Sequence, residues 1–339
     1  KIVKKFAASG FNRGLTLSVQ SMDESVLTEI KRTNMEMSSL KDIFTKCNAE
    51  GIQSYTELIL GLPQETYDSW CNGLCEVIGA GQHGAIESWL TQLLENAELN
   101  TDYQRELHGL QTVIASDYVS GHLEEDNISE TAELVVGTKY MPFDKLVDSW
   151  LYSWMINNFH CFGWTQVYTR YAHTQGVSYR SMYDKLLVAI KTDSDLIGNL
   201  YQQAKLNITY YLQHGRGLNF DGHTQMWEAQ KSFHINREKV IHFVNTVFRD
   251  ILDIDQELFK EMKSYQQNFT TDPYKKYPYK SNFKYDFEDF LRTNNKLIKK
   301  DTTYNIDIQE KDLSTEEYIS RLYYRRRQGW GKSIIDNVA

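Results

Sequence analysis

Thr56-Glu57-Leu58-Ile59-Leu60-Gly61-Leu62-Pro63-Gln64-Glu65-Thr66 is the stretch that decides the fold class of this chain. An apolar run of strand length is broken by Gly61 and Pro63. A helical pattern follows over 66–78, with Trp70, Cys71, Leu74, Cys75 and Ile78 on one face. The same order stands upstream. Leu15-Thr16-Leu17-Ser18-Val19 reads as a strand and is followed by helical patterns over 26–32 and 40–47, with Gly51 ending the second. A third strand is expected over 85–90. Alternating strand and helix implies right-handed βα units and a parallel sheet. Ligands of such sheets bind at the carboxyl ends of the strands. Ser18, Gln20 and Ser21 place hydroxyl and amide groups there, Gly61 lets a flat ligand approach the backbone, and Arg32 offers a planar fork for a carboxylate.

Further along, the period changes. Apolar residues at 143, 146, 147, 150, 151, 154 and 155 make an amphipathic helix over 143–159. The pattern returns over 179–190, with Ser178 as N-cap, over 196–212, and most strongly over 240–254, entered through Asn236. Residues 140–265 therefore read as mostly helical. Asp272-Pro273-Tyr274-Lys275-Lys276-Tyr277-Pro278 reads as an irregular linker, with a polar, loosely packed tail after it.

Composition bounds the function. The 339 residues carry a formal net charge of −8, which argues against a general polyanion binder. Hydrophobic residues make up 41%, enough for a sizeable core, while no apolar run reaches the ~18 residues that span a bilayer. The four cysteines, Cys47, Cys71, Cys75 and Cys161, do not make a disulfide framework, so a reducing cytoplasm is expected. The nine histidines show no metal-binding HxxxH or HExxH spacing. His83 opens the third strand; it is read as structural, the alternative being that it faces a site.

Ser18-Val19-Gln20-Ser21, the helix ending at Ile30-Lys31-Arg32, and Leu58-Ile59-Leu60-Gly61-Leu62-Pro63 before Glu65-Thr66 stand in an order that resembles the second half of a radical S-adenosylmethionine barrel. Gln92-Leu93-Leu94-Glu95-Asn96-Ala97-Glu98-Leu99 and Ala132-Glu133-Leu134-Val135-Val136-Gly137-Thr138 extend the likeness, which covers about residues 12–140 and is closest to the cobalamin-binding-domain-containing branch. Glu95 departs from the pattern, standing where the family often has Pro. The resemblance implies an α/β fold: the later half of a TIM-like parallel (βα) barrel over 1–110, a linking strand segment and helical C-terminal region over 111–265, and a polar linker and tail over 266–339. It implies that Ser18, Gln20 and Ser21 face the sugar or methionine part of S-adenosylmethionine. By the same carry-over, Arg32 pairs with its carboxylate and Ile59, Leu60 and Gly61 flank its adenine. The alternatives are that Ser18 and Gln20 satisfy loop backbone groups and that Arg32 is a surface cation at a helix end.

The family holds a 4Fe–4S cluster with CxxxCxxC after the first barrel strand. Cys71 and Cys75 have the first spacing, but Ile78 stands at the third position. They read as core residues of a helix face. The expectation is a fragment, beginning at Lys1 rather than Met, whose parent cleaves S-adenosylmethionine at a cluster held by residues outside this chain. That parent generates a 5′-deoxyadenosyl radical that acts on a small-molecule or peptide substrate, and cobalamin would make it a methyltransferase. Two rivals remain. One is a tRNA-modifying radical enzyme, with Arg321-Leu322-Tyr323-Tyr324-Arg325-Arg326-Arg327-Gln328-Gly329-Trp330 stacking on bases and meeting phosphates. The other is a non-catalytic α/β module.

Overall fold

A computed structural model describes residues 14–116, 131–216, 224–293, 296–308, 312–322 and 332–338. Most of the basic aromatic run read as an RNA contact, Arg325, Arg326 and Arg327 included, lies outside the described residues.

The chain is an α/β protein. Strands β1 (Leu15–Gln20), β2 (Ser54–Leu60) and β3 (Ala85–Leu90) form a parallel sheet in the order β1-β2-β3. Helices Glu24–Glu29 and Met37–Ala49 link β1 to β2, and helix Tyr67–Gly79 links β2 to β3. The helix starts follow from local chemistry. The Asp23 carboxylate accepts from the Ser25 and Val26 amides, and Thr66 makes a reciprocal capping box with Ser69. The face read over 66–78 is the buried one, with Trp70, Cys71, Leu74, Cys75 and Ile78 all in the core.

Parallel pairing stops after β3. The Thr91 amide donates to the Leu60 carbonyl at 2.9 Å, and the Thr91 carbonyl accepts from the Val135 amide at 2.9 Å. This residue hands the chain to an antiparallel sheet of β4 (Gln92–Leu93), β5 (Gln111–Ala115) and β6 (Ala132–Gly137), ordered β4-β6-β5. Helices follow over Phe143–Met155, Gln166–Thr174, Tyr179–Thr192, Leu196–His214, Thr224–Ile235, Arg237–Ile251 and Gln256–Phe269, in the region read as mostly helical; those over 166–174, 224–235 and 256–269 had not been read individually. Ser178 caps the third of these through a bond from the Ser181 amide, as its sequence suggests. No helix among the described residues is long and apolar enough to cross a membrane.

The segment read as a loose polar tail is neither loose nor without core. β7 (Tyr279–Tyr285), β8 (Lys299–Asp307) and β9 (Ile334–Asn337) form an antiparallel sheet. Phe283, Tyr304 and Ile306 are buried at alternate or facing positions, and Tyr265 stacks on Phe287 with centroids 4.6 Å apart. The polar composition belongs to the outward half of a period-two pattern. One continuous hydrophobic cluster runs from Val19 to Ile306.

Within that core lies a neutral polar relay. The Phe143–Met155 helix widens into a π-turn over Ile156–Cys161, which sets His160 between two partners. His160 Nε2 is 3.0 Å from His83 Nδ1, and His160 Nδ1 is 2.5 Å from the Tyr183 hydroxyl. His83 is thus held by a partner within the core. Burial holds both imidazoles well below their usual pKa and pushes His234 down to about 3. Above about pH 7 all three are neutral folded or unfolded. As pH falls through ~6.5 the unfolded chain takes up protons that the folded chain refuses, so stability drops by up to ~1.4 kcal/mol per pH unit per histidine. Urea midpoints should therefore fall steeply between pH 7.5 and 5.5, and less steeply in His234→Gln. Equal midpoints at the two pH values would show that the folded chain accepts these protons.

Candidate functional site

A cavity of ≈ 530 Å³ opens at the carboxyl ends of β1, β2 and β3. Gln20, Ile59 and Trp89 come from the three strand ends, Leu62 and Pro63 from the turn after β2, and Arg32, Glu29 and His108 from the surrounding helices and turns. The position is the one expected of a ligand site on a parallel sheet.

The backbone around this cavity is unusual. Among the described residues, Gln20, Lys31 and Gln64 are the non-glycine residues with positive φ, at 64°, 55° and 68°. Gln20 and Lys31 line the cavity, and the Gln64 amide donates to Glu29, which also lines it, at 3.3 Å. Left-handed backbone at non-glycine residues costs on the order of 1–3 kcal/mol each and clusters at ligand sites. At Gln20 it coincides with a register shift in the β1–β2 pairing, which turns the end of the strand over the cavity.

Lys31 decides where Arg32 goes. Helix Glu24–Glu29 ends with the Lys31 amide donating to the Thr28 carbonyl and the Arg32 amide to the Leu27 carbonyl, at 3.1 and 2.8 Å. These are the paired bonds of a left-handed helix cap. The cap reverses the chain and brings Arg32 back to the cavity rim, which sequence reasoning left dependent on an unseen loop. Arg32 is exposed there, and beside it Lys31 pairs with Glu98 at 2.7 Å.

The other expected residues divide. Gln20 and Ile59 meet Arg32 at the cavity; Ser18, Ser21, Leu60 and Gly61 do not line it. The exposed Ser18 hydroxyl donates to Glu57 at 2.7 Å. Ser21 is buried one layer below and donates to Glu65, also at 2.7 Å, while its carbonyl accepts from the Asn34 amide. Burial raises the pKa of Glu65 against these bonds. Leu60 is core. Gly61 has φ 89°, and a Cβ there would meet Leu146 Cδ1 at 3.3 Å, so its missing side chain admits the Phe143–Met155 helix.

Trp89 and His108 went unforeseen. Trp89 could have been found, because it stands one residue before the end of β3 as Ile59 does in β2, and the two pair. His108 had no signal in its own neighbourhood. Its Nε2 lies 2.8 Å from Gln104 Oε1 and 3.3 Å from Glu29 Oε1, and burial lowers its pKa more than Glu29 raises it.

The cysteines do not suit a metal cluster. All four are buried and none is in a disulfide, Cys71 and Cys75 sit on the core face of their helix, and burial pushes the Cys75 thiol up to about 12. Cluster ligation needs thiolates. Among the described residues no group of three His, Cys, Asp or Glu side chains is placed to hold a metal ion.

The chain is 36% identical over 178 residues to the cobalamin-dependent radical SAM methyltransferase TokK of Streptomyces tokunonensis, an alignment covering 51% of this chain and 26% of the relative. Homologues of this chain are methyltransferases, the first of them a cobalamin-dependent radical SAM enzyme. A second relative, the 2-(S-pantetheinyl)-carbapenam-3-carboxylate methyltransferase of Streptantibioticus cattleyicolor, is 32% identical over 202 residues, covering 56% of this chain and 28% of the relative. The chain thus spans little more than a quarter of the length of these relatives, both of which are enzymes. No family model matches it.

Proposed function

We propose that this chain is part of a cobalamin-dependent radical S-adenosylmethionine methyltransferase and supplies the later half of its parallel (βα) barrel together with a helical C-terminal region. The observation that carries this reading is the cavity at the strand ends, where Gln20, Arg32 and Ile59 meet inside a chain with methyltransferase homologues. In the parent, the bound cofactors supply reductive cleavage of S-adenosylmethionine and transfer of a methyl group to a small-molecule substrate.

The residues fit S-adenosylmethionine. Ile59, Leu62, Pro63 and Trp89 make an apolar wall for a flat base, with Trp89 able to stack on it. Gln20 offers its side-chain amide to the ribose or methionine part. Arg32 offers a bidentate, charge-assisted contact to the carboxylate. Ser21 and Glu65 act from below by fixing the loop that carries Gln20. Ser18, Leu60 and Gly61 shape the strands that present the ligand-facing residues. The cluster does not fit these residues, and its thiolates belong to another part of the parent, at work in a reducing cytoplasm.

S-adenosylmethionine binding to this chain, followed by calorimetry and by tryptophan quenching compared with that of Trp89→Phe, tests the reading. Arg32→Ala should weaken binding by about ten- to a hundredfold, the ~1.5–3 kcal/mol of a lost charged hydrogen bond, and Arg32→Lys should recover only part of it. Equal affinity in all three proteins would remove Arg32 from the site. No saturable binding by the parent sequence at any accessible concentration would remove the cavity itself.

A further inference from the structure

A second cavity, of ≈ 310 Å³, lies at the opposite end of the parallel sheet, where Ser54 begins β2 and Gly84 precedes β3. His83 lines it and is 6% exposed. The relay behind His83 fixes which of its ring nitrogens carries the proton. Burial keeps the Tyr183 hydroxyl protonated. A phenol is a stronger donor than a neutral imidazole N–H, and an imidazole nitrogen is a stronger acceptor than a phenol oxygen. Tyr183 therefore donates to His160 Nδ1. The His160 proton is then on Nε2 and is donated to His83 Nδ1, so the His83 proton sits on its own Nε2. That nitrogen has no hydrogen-bond partner among the described residues. It is not sealed in protein as the partnerless nitrogens of His108 and His234 are, so it opens to the cavity. A largely buried donor left without a partner is costly and calls for one. Lys332 stands beside it. Its backbone bridges to Thr270, and its ammonium donates to the carbonyl of the same His83 at 2.8 Å, which takes one of three protons. The other charged groups of the lining have contacts of their own: Arg292 engages Glu288 at 3.2 Å, and Arg170 donates to the Leu291 carbonyl.

We infer that this second cavity binds a small organic monocarboxylate, one oxygen accepting from His83 Nε2 and the other from the Lys332 ammonium. One neutral N–H and one cation match a group with two acceptor oxygens and a single negative charge. The volume is at the lower end of small-molecule pockets, which run from about 300 to 1,000 Å³, and Phe269 and Ile335 offer an apolar wall to a short chain. Tyr183 is a positioning residue, acting through His160 by setting the tautomer of His83. The inference does not depend on the methyltransferase reading, since it concerns the other end of the sheet.

Two-bond proton–nitrogen NMR correlation of the whole chain with isotope-labelled histidines, at about pH 7.5 where these imidazoles are neutral, reads tautomer and ligand together. His83 should be protonated at Nε2 alone, and butyrate should shift that resonance saturably. Butyramide, of the same shape and uncharged, should need about tenfold more or fail to shift it, as expected for loss of a charge-assisted contact. Protonation of His83 at Nδ1 would reverse the relay and overturn the inference. Equal responses to butyrate and butyramide, or no saturable response to butyrate, would also overturn it. Tighter binding of inorganic phosphate than of butyrate would give the site to another anion and overturn the monocarboxylate. Lys332→Met should weaken butyrate binding about ten- to a hundredfold and leave the tautomer as it is. Unchanged affinity in that variant would remove Lys332 from the site. Tyr183→Phe should release the relay, so that the two tautomers of His83 mix and butyrate binds more weakly. A pure Nε2–H tautomer in that variant would show that Tyr183 does not set it.

Discussion

Val244→Asp is expected to cost about 4 kcal/mol or more, enough to unfold a domain of ordinary stability. Val244 is 2% exposed on helix Arg237–Ile251, in line with the buried Val240, Ile241 and Phe248. The substitution removes a packed aliphatic side chain and buries a carboxylate in the hydrophobic core. Thr246→Asp, two residues on and exposed, should stay within about 0.5 kcal/mol. Urea denaturation of the pair checks both. Equal midpoints for the two variants would place the Val240–Phe248 stripe outside the core.

Trp70→Ala should cost about 3–5 kcal/mol. Trp70 is 1% exposed on the helix between β2 and β3, and its indole N–H donates to the Ser149 carbonyl at 3.1 Å and the Ser153 hydroxyl at 3.0 Å. One side chain therefore joins the parallel sheet layer to helix Phe143–Met155. Trp70→Phe keeps much of the volume and loses only the donor, so about 1–3 kcal/mol is expected of it. Because a single hydrophobic cluster covers both regions, loss of the tryptophan should lower one shared transition. A variant that melts in two steps, the helical part unchanged, would show that the two regions fold independently.

The parallel sheet was legible because every signal for it is local. The run Leu58–Leu62, the break at Gly61 and Pro63, and the apolar face of the following helix lie within about twenty residues of one another, and period alone separates strand from helix. The helices after residue 140 were legible for the same reason. The tail was misread because its strands are short and half polar: β7 reads Tyr-Lys-Ser-Asn-Phe-Lys-Tyr, and only its pairing with β8 shows which half faces inward.

The site divides along the same line. That ligand-facing residues stand at the ends of β1 and β2 follows from chain order, and Gln20 and Ile59 could be named without a structure. Whether a particular side chain points into the cavity could not, since neighbours along a strand face opposite ways: Ile59 lines the cavity and Leu60 is core. Arg32 reaches the rim because Lys31 takes a left-handed conformation that sequence offers no glycine to announce. His108 and Trp89 join it from residues 49 and 30 positions beyond Ile59. Sequence by itself determined the alternation of strand and helix, the apolar faces and the end of the sheet where a ligand belongs, because those depend on periodicity and connection order. Tertiary structure decided which side chains meet at the cavity and that the last strands complete the core, because each requires contacts between residues far apart in the chain.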